Sequence, residues 1–151
     1  MKKLFSACIL IAVLFTMGCS KKTEENVDTI NVSVEILCDE ILDNYDDLDP
    51  SLQDEEYVPS DGIILENVTI SVENGASALD ILKQISEEYD IQIDVSDGYA
   101  KAINYIYEKS CGESSGWVYE VNHEMIMEEY FAKDGDIITW KYICDFSNFG
   151  M

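Results

Sequence analysis

The strongest constraint on this chain lies in its last third. There Trp117, Tyr119 and Val121 recur at every second position, and so do Ile138, Trp140 and Tyr142. Alternate side chains of an extended strand share one face, so both segments predict strands that turn an aromatic-rich face toward a core. An Asp134-Gly135-Asp136 turn leads sharply into the second of them. A half-buried sheet of this kind is a structural feature first and carries no chemistry by itself.

The same periodicity extends upstream. Val32, Val34 and Ile36 alternate with Ser33 and Glu35, which predicts a strand over 30–38. A strand pair or one bent strand is expected over 63–72, closed by Asn74-Gly75. Ser77 followed by Asp80 forms a capping pattern for a helix that carries Leu79, Leu82 and Ile85 on one face and ends near Tyr89. Ile91, Ile93 and Val95 predict another strand, Asp97-Gly98 a turn, and 99–107 a further strand carrying Ile103 and Tyr105. Ile41, Leu42, Tyr45 and Leu48 recur at three-to-four spacing and predict a short helix or turn lying on the sheet; Pro50 and Pro59 then break regular structure. One good helix on a small mixed sheet is an α+β domain.

The amino terminus reads as a processing signal. Lys2 and Lys3 precede an uncharged apolar run over 4–17, which ends in Gly18-Cys19. A run of about 14 residues falls short of the ~20 that span a bilayer as a helix. The expectation is a lipoprotein signal peptide over 1–18, a lipidated Cys19 as the mature first residue, a polar tether over 19–29 and one folded domain over 30–146. That arrangement places the domain outside the cytoplasm, anchored to the bacterial cell membrane through lipid.

Charge narrows the partners. The chain carries a net −22, or −24 once Lys2 and Lys3 are removed, and all its basic residues are lysine. So acidic a surface repels phosphate backbones and anionic headgroups. Nucleic acid is excluded as a partner, membrane contact is left to the lipid, and neutral or cationic partners are favoured. The acidic run over 39–49 lacks the alternating oxygen ligands, central Gly and distal Glu of an EF-hand loop, so it is expected to be a solvated loop and no metal site.

Catalytic chemistry has little to start from. His123 is the only histidine, sits at a turn, and has neither a nucleophile nor a second ligand at fixed spacing; paired carboxylates are everywhere in so acidic a chain and carry no signal. No catalytic residue is assigned and the protein is expected not to be an enzyme. Binding is the remaining class. Trp117, Tyr119, Trp140, Tyr142, Tyr130 and Phe131 offer aromatic area, with Trp117 and Trp140 expected to pack inward. Contact with a ligand or partner is therefore assigned to Asn122, His123, Met125, Ile126, Met127, Tyr130 and Phe131, where Met125, Ile126 and Met127 make an apolar tip in an acidic molecule.

The order Ser115-Gly116-Trp117, Tyr119, Val121-Asn122, a short loop, then Asp134-Gly135-Asp136, Ile138, Trp140 and Tyr142 resembles the signature of the transcobalamin-like C-terminal domain family, largely uncharacterised and found in bacterial surface proteins. The segments 34–44, 58–65 and 78–82 fall in the same order, so the likeness covers roughly residues 30–145. The resemblance implies a β-grasp-like arrangement with the first and last strands side by side. That adjacency would bring together Cys38 and Cys144, which end those strands, so a Cys38–Cys144 disulfide is favoured over Cys38–Cys111, Cys111–Cys144 or three reduced thiols. Relatives often carry a partner for Cys111 in a loop that is shortened here, which would leave Cys111 free. Functionally the resemblance implies a non-enzymatic, lipid-anchored module that binds a ligand or a surface protein. Cobalamin binding or uptake is the second reading and a structural surface module the third. In vertebrate carriers the domain works against a large helical domain, so corrinoid capture here would need an oligomer or another surface protein.

Overall fold

Ile30, Val32, Val34 and Ile36 alternate with more exposed neighbours along strand β1 (Thr29–Leu37) and are all buried. The structure is a computed structural model that describes residues 27–149; the segment expected to be a leader peptide, Cys19 and the part of the expected tether before residue 27 lie outside the described residues. Strand β1 pairs antiparallel with β2 (Ile63–Glu73) and parallel with β8 (Ile137–Ile143). On the far side of β8, β6 (Gly116–Val121) and then β7 (Glu124–Ile126) complete a five-stranded sheet of order β2-β1-β8-β6-β7. The first and last strands are thus direct neighbours.

Parallel neighbours need a long crossover, and the chain between β2 and β8 supplies a helix. Helix α2 (Ala78–Tyr89) starts with a reciprocal cap: Ser77 Oγ accepts from Asp80 N at 3.1 Å and its hydroxyl donates to Asp80 Oδ2 at 2.7 Å. Its Ile81, Leu82 and Ile85 are fully buried in one cluster with Val32, Val34, Ile36, Ile70, Ile138 and Trp140. Asp90, at φ 55°, closes the helix in the left-handed region. Beside it lies a three-stranded antiparallel sheet of β3 (Ile93–Ser96), β4 (Tyr99–Ile103) and β5 (Ile106–Tyr107). Strands dominate, helices are few, and the class is α+β.

Two local expectations need correction. Residues 99–107 are not one strand, because Asn104 and Tyr105 take φ of 51° and 66° and fold a two-residue hairpin turn between β4 and β5. Such turns require left-handed backbone at both central positions, and Asn104 offsets its strain by donating from Nδ2 to Tyr57 O at 2.9 Å. The segment after Asn122, expected as a loop, forms β7. Of the four apolar residues around 41–48, Ile41 and Leu48 are buried while Leu42 and Tyr45 stay at the surface; the helix α1 that carries Ile41 is a single turn, Glu40–Asp43.

Ile41 and Leu48 belong to a second cluster with Val58, Ile106, Tyr142, Cys38, Cys111 and Cys144. The expected Cys38–Cys144 pairing is not the one that this packing provides. Cys144 Sγ lies 2.8 Å from Cys111 Sγ. The β1–β8 register explains why: Leu37 sits opposite Lys141, so Cys38 falls beside Tyr142 and Cys144 runs two residues further along. At ~3.3 Å per residue that offset takes the two Cα atoms out of disulfide range. All three thiols are buried.

Ile36 is fully buried between β2 and β8 and touches the core from the middle of the sheet. An Ile36→Ala substitution is expected to lower the unfolding free energy by about 2–5 kcal/mol, read from the midpoint of a urea titration.

Candidate ligand-binding cleft

Cross-strand registration writes a row of large side chains across the sheet. Leu65, Ile36, Trp140, Tyr119 and Ile126 stand opposite one another on five successive strands. Their common face is covered by α2 only in part. Over Trp140, Tyr119 and Ile126 the cover comes from the segment after β7 and from the β3–β4 turn, and a cleft of about 330 Å³ remains between them.

Each wall has its own origin. Trp117, Val118 and Tyr119 of β6 form the floor with Trp140. Trp117 is held edge-on by an Nε1 donation to Ile106 O at 2.7 Å and a T-shaped contact with Tyr142 at 5.2 Å. Tyr119 and Trp140 rings lie 5.0 Å apart, tilted by 43°. Ile126, Met127 and Tyr130 make one side; Ser77, Ala78 and Leu79 at the start of α2 and the 97–100 turn, with Tyr99, make the other. Met127 is 56% exposed and Tyr99 65%, so both stand at the mouth.

Charge at the rim is one-sided. Asp97, Glu128 and Glu129 line the cleft, and among the described residues no lysine or histidine does. Burial pushes the Tyr119 phenol above its ordinary range, with Glu129 and Glu128 adding to the effect and a backbone hydrogen bond opposing it; its hydroxyl donates to Glu128 O and ties the rim to the floor. Trp140, 3% exposed, presents a different problem: its Nε1 is buried and makes no hydrogen bond among the described residues. A buried donor without an acceptor costs free energy.

The structure separates the seven assigned contact residues. Ile126, Met127 and Tyr130 line the cleft; Asn122, His123, Met125 and Phe131 do not. Strand alternation removes Met125, which stands opposite Glu120 while Ile126 stands opposite Tyr119 and shares the cleft face. Asn122 and His123 take φ of 52° and 72° as the two-residue turn between β6 and β7. Asn122 is also fully engaged, since its Nδ2 donates to Asp136 Oδ1 at 2.9 Å and its Oδ1 accepts from Ile137 N at 3.0 Å. Phe131, 55% exposed, forms an isolated antiparallel bridge with Ser77 but does not itself line the cleft. Of the four signature aromatics Trp117, Tyr119 and Trp140 line the cleft, and Tyr142 packs in the second core. Among the lining residues that sequence reasoning missed are Leu79, Asp97 and Tyr99: they come from distant segments, and no periodicity links them to β6.

Asp136 holds the cleft's framework. Only 7% exposed, its carboxylate accepts from Asn122 Nδ2, from Tyr130 OH at 2.8 Å and from Lys133 N at 2.8 Å. Burial pushes this carboxyl up, but the three hydrogen bonds, together with the Lys133 charge, hold it below the ordinary carboxylate value. Its charge in turn pushes the Tyr130 phenol up, chiefly through their shared hydrogen bond. Groups able to hold a metal, three or more His, Cys, Asp or Glu side chains together, do not occur among the described residues.

Comparison with known proteins adds two likenesses. Residues 75–143 match the model of a family described as "Domain of unknown function (DUF4430)". The fold is similar to that in a crystal structure of haptocorrin in complex with Cbi, with a TM-score of 0.52 and 12% sequence identity; the match covers 78% of this chain and 25% of the haptocorrin chain. The chain therefore spans about a quarter of that protein's length, and at this identity the likeness is one of fold. No curated protein sequence matches the chain.

A depressed carboxyl stabilises the folded state above the unfolded value of 3.8 and loses that contribution as pH falls through the lower folded value. Asp136→Asn is therefore expected to be less stable than wild type at neutral pH, with the gap narrowing below pH ~4. Urea midpoints measured from neutral to strongly acid pH check the sign; a gap that stays constant would contradict it.

Proposed function

We propose that the protein is a non-catalytic binding module that takes a flat, apolar-bodied small molecule of neutral or positive charge into the cleft between the β6–β7 hairpin and the start of α2. The observation that carries this reading is an aromatic cleft of about 330 Å³ whose rim has carboxylates and, among the described residues, no basic side chain. Apolar walls with a few polar points are the usual make-up of a small-molecule site.

A corrinoid ligand is the second reading, supported by the fold likeness to haptocorrin and by the sequence resemblance to transcobalamin-like domains. The β1–β8 parallel pairing with α2 as crossover supports the β-grasp-like, transcobalamin-like assignment. A cleft of this size takes an edge of a corrinoid and does not enclose one, so capture would require a second copy of the chain or another surface protein. Lipid anchoring through Cys19 outside the cytoplasm completes the proposal and sets the module where it would meet exogenous ligands.

Tryptophan fluorescence of the protein titrated with cationic thioflavin T, anionic anilinonaphthalene sulfonate and cyanocobalamin tests the site. Quenching by the cation in preference to the anion is expected. Met127→Ser should weaken that binding about fivefold, the equivalent of ~1 kcal/mol of lost apolar contact, while Met125→Ser leaves it unchanged. Preference for the anion, or equal effects of the two substitutions, would sink the assignment of the cleft. Saturable cyanocobalamin binding would favour the corrinoid reading. The anchor has its own test: Cys19→Ser should release the protein from the membrane fraction and remove the lipid mass, and continued membrane association with unchanged mass would reject it.

A further inference from the structure

We infer that Cys111 and Cys144 form a disulfide when the chain folds in an oxidising medium, and that this bridge clamps the start of β6 to the end of β8 while Cys38 remains a thiol. Their sulfurs are 2.8 Å apart, less than 1 Å beyond the ~2.05 Å of the bond. Both side chains are buried in the second core, so the approach is set by packing on all sides.

Independent contacts hold each partner in place. Cys111 N donates to Ser115 Oγ at 3.1 Å, and Ser115 Oγ lies 2.8 Å from Tyr142 OH, two residues from Cys144. Cys144 N donates to Glu40 Oε2 at 2.9 Å. The connection between β5 and β6 that carries Cys111 makes few ladder contacts, with Lys109 and Gly112 both at positive φ. A covalent tie there fixes the entry of Gly116 and Trp117 into the sheet, and Trp117 is part of the cleft floor.

The reaction is two-electron thiol–disulfide exchange. The two thiols reduce one molecule of a disulfide oxidant such as oxidised glutathione, giving the protein disulfide and two thiols of the reduced oxidant. The attacking species is a thiolate. In the folded protein burial pushes both thiols up; the hydrogen bond between them raises Cys144 and lowers Cys111, and the Glu40 and Asp47 charges add to the rise of both. Exchange therefore belongs to the stage before the second core closes, and the finished bridge is shielded from external reductant.

The full chain, refolded in a glutathione redox couple and then alkylated, is mapped by peptide mass without reduction. A linked peptide pair containing Cys111 and Cys144 is expected, with Cys38 alkylated only after denaturation. Closing a loop of this length should raise the melting temperature by roughly 10 °C. Reduction with dithiothreitol in denaturant, followed by refolding under reducing conditions, should abolish that gain in wild type and in Cys38→Ser, and should change nothing in Cys111→Ser. A linked pair containing Cys38, Cys8 or Cys19, or three alkylated thiols at 38, 111 and 144, would overturn the inference.

Discussion

The parallel pairing of β1 with β8 is the constraint on which the rest of the structure depends. It joins 33–37 to 137–141, so nearly the whole domain is the loop that this contact closes. Closure of a long loop is entropically costly, and contacts of high sequence separation form late. The compensation is burial. Val34 meets Ile138 and Ile36 meets Trp140 across the pair, and all four are at most 3% exposed. Once β8 is in place it templates β6 and β7 on its other edge, and α2 can cover the sheet only because the crossover has brought its apolar face there.

The cleft follows from that arrangement as an incompleteness of cover. The apolar stripe of α2, Ile81, Leu82 and Ile85, seals the sheet over β1 and β8. The helix begins only at Ala78, so its first turn borders the aromatic rings of β6 and β8 without closing over them. Aromatic side chains bring large area at little entropic cost, and here part of that area is left facing a cavity. A net charge of −22 surrounds that apolar recess with a field that disfavours anions.

Two polar side chains stiffen this framework from below. Asp136 gathers Asn122, Tyr130 and Lys133 around one carboxylate, so the hairpin turn, the cleft wall and the entry to β8 share a single anchor. Ser115 does the same at the opposite end of β6, between Cys111 N and Tyr142 OH. Buried polar groups that are fully satisfied specify one packing. Trp140 Nε1, buried and without a hydrogen-bond partner among the described residues, is the exception.

Local order was legible in the sequence because it is written in short-range chemistry. Period-two alternation in 30–38, 117–121 and 138–142 became β1, β6 and β8, and the Ser77–Asp80 pair became the cap of α2. The Asn104-Tyr105 turn was missed because it carries no Gly to announce its left-handed backbone; the turn at His123 was expected, but not the strand β7 that follows it. Half of the wall was misassigned for the same kind of reason: the stretch from Asn122 to Phe131 reads as one apolar loop, whereas strand formation sends Met125 and Ile126 to opposite faces. Register, not composition, decided that Cys144 meets Cys111, because a two-residue offset along parallel strands cannot be read from where the strands end. What the sequence by itself determined was which segments are strands, which is the helix, and that the surface is acidic. Which side chains from Leu79, Tyr99 and Trp117 to Met127 share one cleft was decided only by tertiary closure, since residues far apart in the chain acquire a common environment only when the sheet and helix pack.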